Sequence, residues 1–115
     1  VDDLRLVVGT PGGATIITSV FQTIMNVVDF GMSAQQSVNA RKAHSQWQPD
    51  MVMVERGTLS VSSMIGLMRR GHRLYAWPRF KYELGRVEAV LIGADGRRQG
   101  AADYTRGEDD RASGF

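Results

Sequence analysis

The sequence predicts an α/β (α+β) fold in which sheets pack against helices. Strand-like and helix-like stretches alternate along the chain, which argues for layers. A Gly-Ala-Asp-Gly turn near the C-terminus joins two strand-like runs, so part of the pairing is antiparallel. One long helix is apolar over more than half its circumference, wider than a solvated helix carries.

The first element, Leu4 to Val8, reads as a short buried strand ending in β-branched residues, with Gly9, Pro11, Gly12 and Gly13 punctuating the turn after it. From Ala14 the period becomes helical. Ile16, Ile17, Val20, Phe21, Ile24, Met25, Val27 and Val28 cover the wide apolar arc, while Thr15, Thr18, Ser19, Gln22, Asn26 and Asp29 share the remaining stripe. That stripe holds no Lys, Arg or Glu, so the helix is expected to be buried on most sides. Its apolar arc exceeds what one segment of this size covers, so the missing wall is expected from the rest of a longer chain or from a partner. Gly31 reads as its left-handed cap.

Ser33 and Gln36 stand at capping-box spacing and start a short helix that ends before Pro49. Met51 to Glu55 is a strand followed by a turn at Gly57. Ser60 caps a third helix with Met64, Leu67 and Met68 on one face, and Arg69 and Arg70 sit before the Gly71 stop. Arg73 to Trp77 is a strand, and Val87 to Ile92 and Arg98 to Ala102 form the hairpin around Asp95-Gly96. The tail from Thr105 reads as polar and mobile. No linker divides the chain, so residues 1–115 are expected to form a single segment.

Composition excludes several function classes. Arg supplies 12 of the 14 basic residues, yet the net charge is only +2 and scattered, which gives no nucleic-acid surface. With no cysteine there is no disulfide, no Cys-ligated zinc and no thiol nucleophile. The apolar helix is interrupted by Thr, Ser, Gln and Asn and is no membrane span. His44 and His72 stand too far apart, with too few other ligand types, for a metal site. His44 reads as a buried hydrogen-bonding residue, His72 as a surface residue, Trp47 and Trp77 as packing residues, and Arg69, Arg70 and Arg73 as a solvated helix end. A start at Val-Asp-Asp without Met reads as a piece of a longer chain.

Gly12 and Gly13 raise the chemical question. First-turn amides have no intrahelical acceptor, and the helix dipole adds partial positive charge where they point. Glycine lets a ligand approach the backbone closely. Three readings stay open: a plain strand-to-helix turn, an anion site, or an oxyanion hole for acyl transfer. A phosphate loop is disfavoured, because neither G-x-x-x-x-G-K-[ST] nor G-x-G-x-x-G is present.

The stretch "LVVGTPGGATIITSVFQTIMNVVDFGMSAQQSVNARKAHSQWQPD" resembles the gamma-glutamyltranspeptidase family, with its P-G-G, I-I-T, D-x-G and H-H-Q-W-x-P-D motifs. "LSVSSMIGLMRRGH", "GRVEAVLIGADGRRQGAAD" and the closing Gly114-Phe115 extend the resemblance over essentially the whole chain. It implies the C-terminal part of the small, catalytic subunit of a four-layer αββα N-terminal-nucleophile hydrolase. Such precursors cleave themselves, and the threonine exposed at the new N-terminus attacks a gamma-glutamyl amide such as glutathione. The acyl group then passes to water, amino acids or peptides.

By the same resemblance Gly12 and Gly13 are the oxyanion-hole residues. The nucleophile lies upstream, neither Thr10 nor Thr15 matches its motif, and the segment alone is inactive. The large subunit and the upstream part of the precursor are the implied partners, no cofactor or metal is implied, and the compartment is periplasmic or secreted if the chain follows bacterial members. Departures fall at Arg41-Lys42-Ala43, at Ser45 and at Asp103-Tyr104-Thr105, where the family has D-P-R. Two other readings are a related acylase and a non-catalytic binding or assembly domain with an anion at the helix terminus.

Overall fold

A computed structural model describes residues 5–78, 84–106 and 111–113. Strand β1 (Arg5–Gly9) leads through the glycine turn into α1 (Thr15–Val28), and α2 (Ala34–Asn39) follows. Next come β2 (Ala43–His44), β3 (Val52–Glu55), α3 (Val61–Arg69), β4 (Leu74–Trp77), β5 (Glu88–Ile92) and β6 (Arg98–Ala102). The strands form two three-stranded sheets. In the order β1-β5-β6 all pairs are antiparallel, whereas in β2-β3-β4 the first pair is antiparallel and the second parallel, with α3 as the crossover.

Local signals act as the sequence suggests. Ser33 accepts from the Gln36 amide and the Gln36 side chain reaches back to the Ser33 amide, which completes the capping box of α2. Ser60 accepts from the Ser63 amide at the start of α3. At the hairpin the Gly93 amide donates to Arg97 O at 3.0 Å, and Asp95 Oδ1 accepts from the Arg97 amide at 3.0 Å. These are short-range interactions, so sequence reads them well.

The apolar core lies on one face of the β1-β5-β6 sheet. Ala89, Leu91 and Ala101 alternate inward and pack with Val87, with Val27 of α1, and with Ala34 and Val38 of α2, while Leu6 and Val8 border the cluster. The opposite face carries Val7 and Val90, both exposed. β1 is therefore half-buried, not fully buried as expected. Leu4, where that strand was expected to begin, lies outside the described residues.

Helix α1 turns its polar stripe inward. Ser19 and Thr23 are fully buried, whereas Ile17 is 77% and Phe21 59% exposed, with Ile16, Ile24 and Val28 also exposed. The buried hydroxyls and amides are satisfied. Thr23 Oγ1 donates to Ser19 O at 2.8 Å, and Gln22 makes a paired contact with the Ala43 backbone, donating from Nε2 at 2.7 Å and accepting at Oε1 at 2.9 Å. The expectation of burial on most sides holds for most of the stripe and for Val27, and fails for the part of the apolar arc at Ile16, Ile17, Phe21, Ile24 and Val28, which the described residues leave exposed. Hydrogen bonding removes the cost of burying the stripe.

Two expectations about the loops also change. Trp47 is 79% exposed and packs little, against the expectation of a packing residue, although Trp77 is half-buried and stacks on Tyr75 with centroids 6.3 Å apart. The chain beyond Thr105 is not a mobile tail at its start, because Arg106 is buried. The next stretch of that tail, 107–110, lies outside the described residues.

Arg106 completes a buried ionic cluster with Lys42, Glu55 and Asp103. Its Nε donates to Glu55 Oε1 at 2.5 Å, Nη2 pairs with Glu55 Oε2 and Nη1 with Asp103 Oδ2. Nη2 also reaches Ala40 O at 3.0 Å, while Lys42 Nζ donates to Val38 O at 2.8 Å and lies 3.8 Å from Asp103 Oδ2. Burial opposes the Arg106 charge, but the Glu55 and Asp103 carboxylates outweigh it and raise the guanidinium above its ordinary pKa. Glu55 belongs to β3 and Asp103 follows β6, so the cluster joins the two sheets.

Removing one member leaves a buried charge without its partner. Arg106→Met is expected to lower unfolding free energy by about 3–5 kcal/mol, measured by urea denaturation, whereas Arg69→Met at the exposed end of α3 stays within about 0.5 kcal/mol. Equal effects would show that the cluster does not carry the sheet junction.

Candidate functional site

The site is built at the β1-to-α1 turn, where the strand ends and the helix dipole begins. Gly12 has φ +137° and Gly13 φ +60°, both outside the range that L side chains favour. The Gly12 carbonyl accepts from the Thr15 amide at 3.2 Å and from Thr15 Oγ1 at 2.8 Å, and the Gly13 carbonyl accepts from the Ile16 amide at 3.2 Å. These bonds turn both carbonyls into the helix. No described residue accepts a hydrogen bond from the Gly12 or Gly13 N–H.

Both glycines precede the N-cap of the helix, so capping does not involve their amides. Its N-cap is Ala14, with no side-chain cap and no acidic residue in the first turn. A Ser or Asp at 14 would serve the Ile16 or Ile17 amide and leave the glycine amides untouched. Glycine amides with no described acceptor, just ahead of a helix start, are the kind of donor that an anion site uses.

The two glycines differ in their surroundings. A Cβ on Gly12 would stand 2.5 Å from Thr15 Oγ1, whereas a Cβ on Gly13 would meet nothing within 4 Å. Gly12 is required by space and dihedral together, Gly13 by dihedral alone. Thr10 Oγ1 donates to the adjacent Pro11 O at 2.8 Å, and Thr15 Oγ1 is taken up by Gly12, so both hydroxyls serve the turn.

His44 is buried beside α1, 2% exposed, with Nδ1 2.7 Å from Thr18 Oγ1 and Nε2 2.9 Å from Gln46 Oε1. It fastens β2 to the helix, as the hydrogen-bonding reading expected. His72, Arg69, Arg70 and Arg73 are exposed. Among the described residues, no group of three or more His, Cys, Asp or Glu could hold a metal ion, and no helix is long and apolar enough to cross a membrane.

Sequence reasoning missed the loop before β5. Gly85 is buried with φ +87°, and Ser19 Oγ donates to the neighbouring Leu84 carbonyl, which holds this loop against the first turns of α1. The clue was Ser19 itself, a hydroxyl on a helix stripe without charged residues. The cluster around Arg106 was also missed, since its members are spread from residue 42 to residue 106.

The family model for gamma-glutamyltranspeptidase matches residues 1–113. The glutathione hydrolase proenzyme of Escherichia coli (strain K12) is 36% identical over 110 residues, 96% of this chain and 18% of that protein. The acylase ACY 1 proenzyme of Pseudomonas sp. (strain V22) is 31% identical over 99 residues, 86% of this chain and 17% of that protein. A crystal structure of Helicobacter pylori gamma-glutamyltranspeptidase superposes with TM-score 0.76 at 35% identity, covering 88% of this chain and 54% of that one. The chain thus spans less than a fifth of the full-length relatives and about half of the solved chain.

The difference between the glycines is measurable. Gly13→Ala is expected to cost about 1–3 kcal/mol of stability from its dihedral. Gly12→Ala should cost more, and Thr15→Ala added to it should recover the excess, read from urea midpoints. A Gly12→Ala variant no less stable than Gly13→Ala would contradict the packing at this turn.

Proposed function

The chain belongs to the gamma-glutamyltranspeptidase family of N-terminal-nucleophile hydrolases, and from that membership we propose that it is the C-terminal part of a small subunit that acts on gamma-glutamyl amides. In this reading residues 1–115 form one segment of the catalytic subunit. The nucleophilic threonine, the large subunit and the groups that grip the glutamyl amino acid come from elsewhere in the precursor. Glutathione is the proposed substrate, by likeness to the Escherichia coli relative.

The observation that carries the proposal is the pair of amides at Gly12 and Gly13, placed at an uncapped helix start with both carbonyls turned away. As the threonine hydroxyl adds to the amide carbonyl, its oxygen gains negative charge. Two fixed N–H donors stabilise that charge without rearranging, and the helix dipole adds to them. The tetrahedral species then expels the amine, leaving an ester to the threonine. Water or an amino acid attacks that ester through a second oxyanion at the same two donors, so one site serves both halves of the reaction.

The acylase relative supports a second substrate class for the same machinery. The turn stabilises an oxyanion whatever acyl group is transferred, so substrate choice belongs to residues outside this turn.

Gly13→Val in the full-length, cleaved parent protein tests the assignment. With a gamma-glutamyl anilide, kcat is expected to fall roughly 10²–10³-fold, with KM changed by no more than about threefold. Intact turnover in a correctly folded variant would remove Gly13 from the oxyanion site. A loss confined to KM would point instead to ground-state anion binding.

A further inference from the structure

We propose that Gly85 is a positioning residue for the Gly12 and Gly13 donors, setting the backbone of the glycine turn from the loop before β5. The proposal rests on the oxyanion reading above. Gly85 is far from the turn in sequence and meets it in space. A Cβ on Gly12 would lie 3.7 Å from Gly85 Cα and 3.8 Å from Gly85 N, so the two backbones pass with room for no more than ordinary contact.

A side chain at 85 has no place to go. Its Cβ would stand 2.7 Å from Thr10 Oγ1 and 2.9 Å from Ser19 Oγ, and φ +87° is itself costly for any residue with a Cβ. Thr10 begins the glycine turn, and Ser19 lies one helical turn beyond Thr15, which binds Gly12 O. Pressure from Gly85 therefore acts on both sides of the donor pair. The loop cannot back away freely, because Ser19 Oγ bonds the Leu84 carbonyl and the Asp103 amide bonds Val87 O at 3.1 Å. Gly85 touches neither substrate nor reacting atoms in this account. It acts through Thr10 and Ser19.

A donor displaced by a fraction of an ångström still holds the protein together but meets the oxyanion poorly, so the signature is loss of kcat at constant KM. The test uses the full-length, cleaved parent with a gamma-glutamyl anilide, with Gly13→Val as reference. Gly85→Ala is expected to lower kcat by up to about a hundredfold, with KM within about twofold. Thr10→Ala combined with Gly85→Ala removes the hydroxyl at 2.7 Å and should restore part of kcat. If Gly85→Ala fails to fold, Ser19→Ala, which adds no bulk and frees the Leu84 carbonyl, should lower kcat several-fold with KM unchanged.

A folded Gly85→Ala enzyme with full kcat beside an inactive Gly13→Val enzyme would overturn the positioning role alone. So would a Gly85→Ala loss that the Thr10→Ala change does not relieve, or unchanged kcat in Ser19→Ala. Full turnover in Gly13→Val would overturn the oxyanion reading and this inference with it.

Discussion

Lys42, Glu55, Asp103 and Arg106 bring two positive and two negative side chains into the interior, and none of them tolerates the loss of its neighbours there. Because Glu55 ends β3 and Asp103 follows β6, pairing these charges through Arg106 ties the two sheets together. The α2 carbonyls at Val38 and Ala40 accept from the same cations, which also fixes the end of that helix. With α2 placed, the apolar cluster on β1-β5-β6 closes, and β1 delivers the glycine turn at its end.

The same packing explains why α1 faces the way it does. Its polar stripe bonds β2 and the loop before β5, so the helix start is anchored by directional contacts instead of by apolar packing. In the proposed function, directional contacts suit the donors of this turn, whose placement sets their reach to an oxyanion. The part of the apolar arc around Ile17 and Phe21 is left exposed by the described residues. That division matches a segment spanning 18% of its Escherichia coli relative.

Much of this was legible in the sequence where the determinants are local. Capping at Ser33 and Ser60, the Asp95-Gly96 hairpin and the glycine turn each depend on residues a few positions apart. The periodicity of α1 marked its helix correctly, and the missing charges on its stripe signalled burial. What periodicity cannot say is which of two uncharged faces the segment itself covers. The D-P-R departure at Tyr104 and Thr105 hid a salt bridge one residue later, at Arg106, because burial of an Arg depends on carboxylates distant in sequence. Gly85 was invisible for a similar reason, since its demand comes from Thr10 and Ser19 across space.

In the proposed function this segment supplies the oxyanion donors of an acyl-transfer enzyme whose nucleophile lies outside it. The most direct measurement is chromophore release from a gamma-glutamyl anilide by the full-length parent protein, with subunit cleavage followed on a gel and the segment alone as control. The account predicts release that accompanies cleavage and none from the segment. A cleaved, folded parent that releases nothing from the anilide would contradict the gamma-glutamyl assignment, and turnover by the segment alone would contradict the placement of the nucleophile.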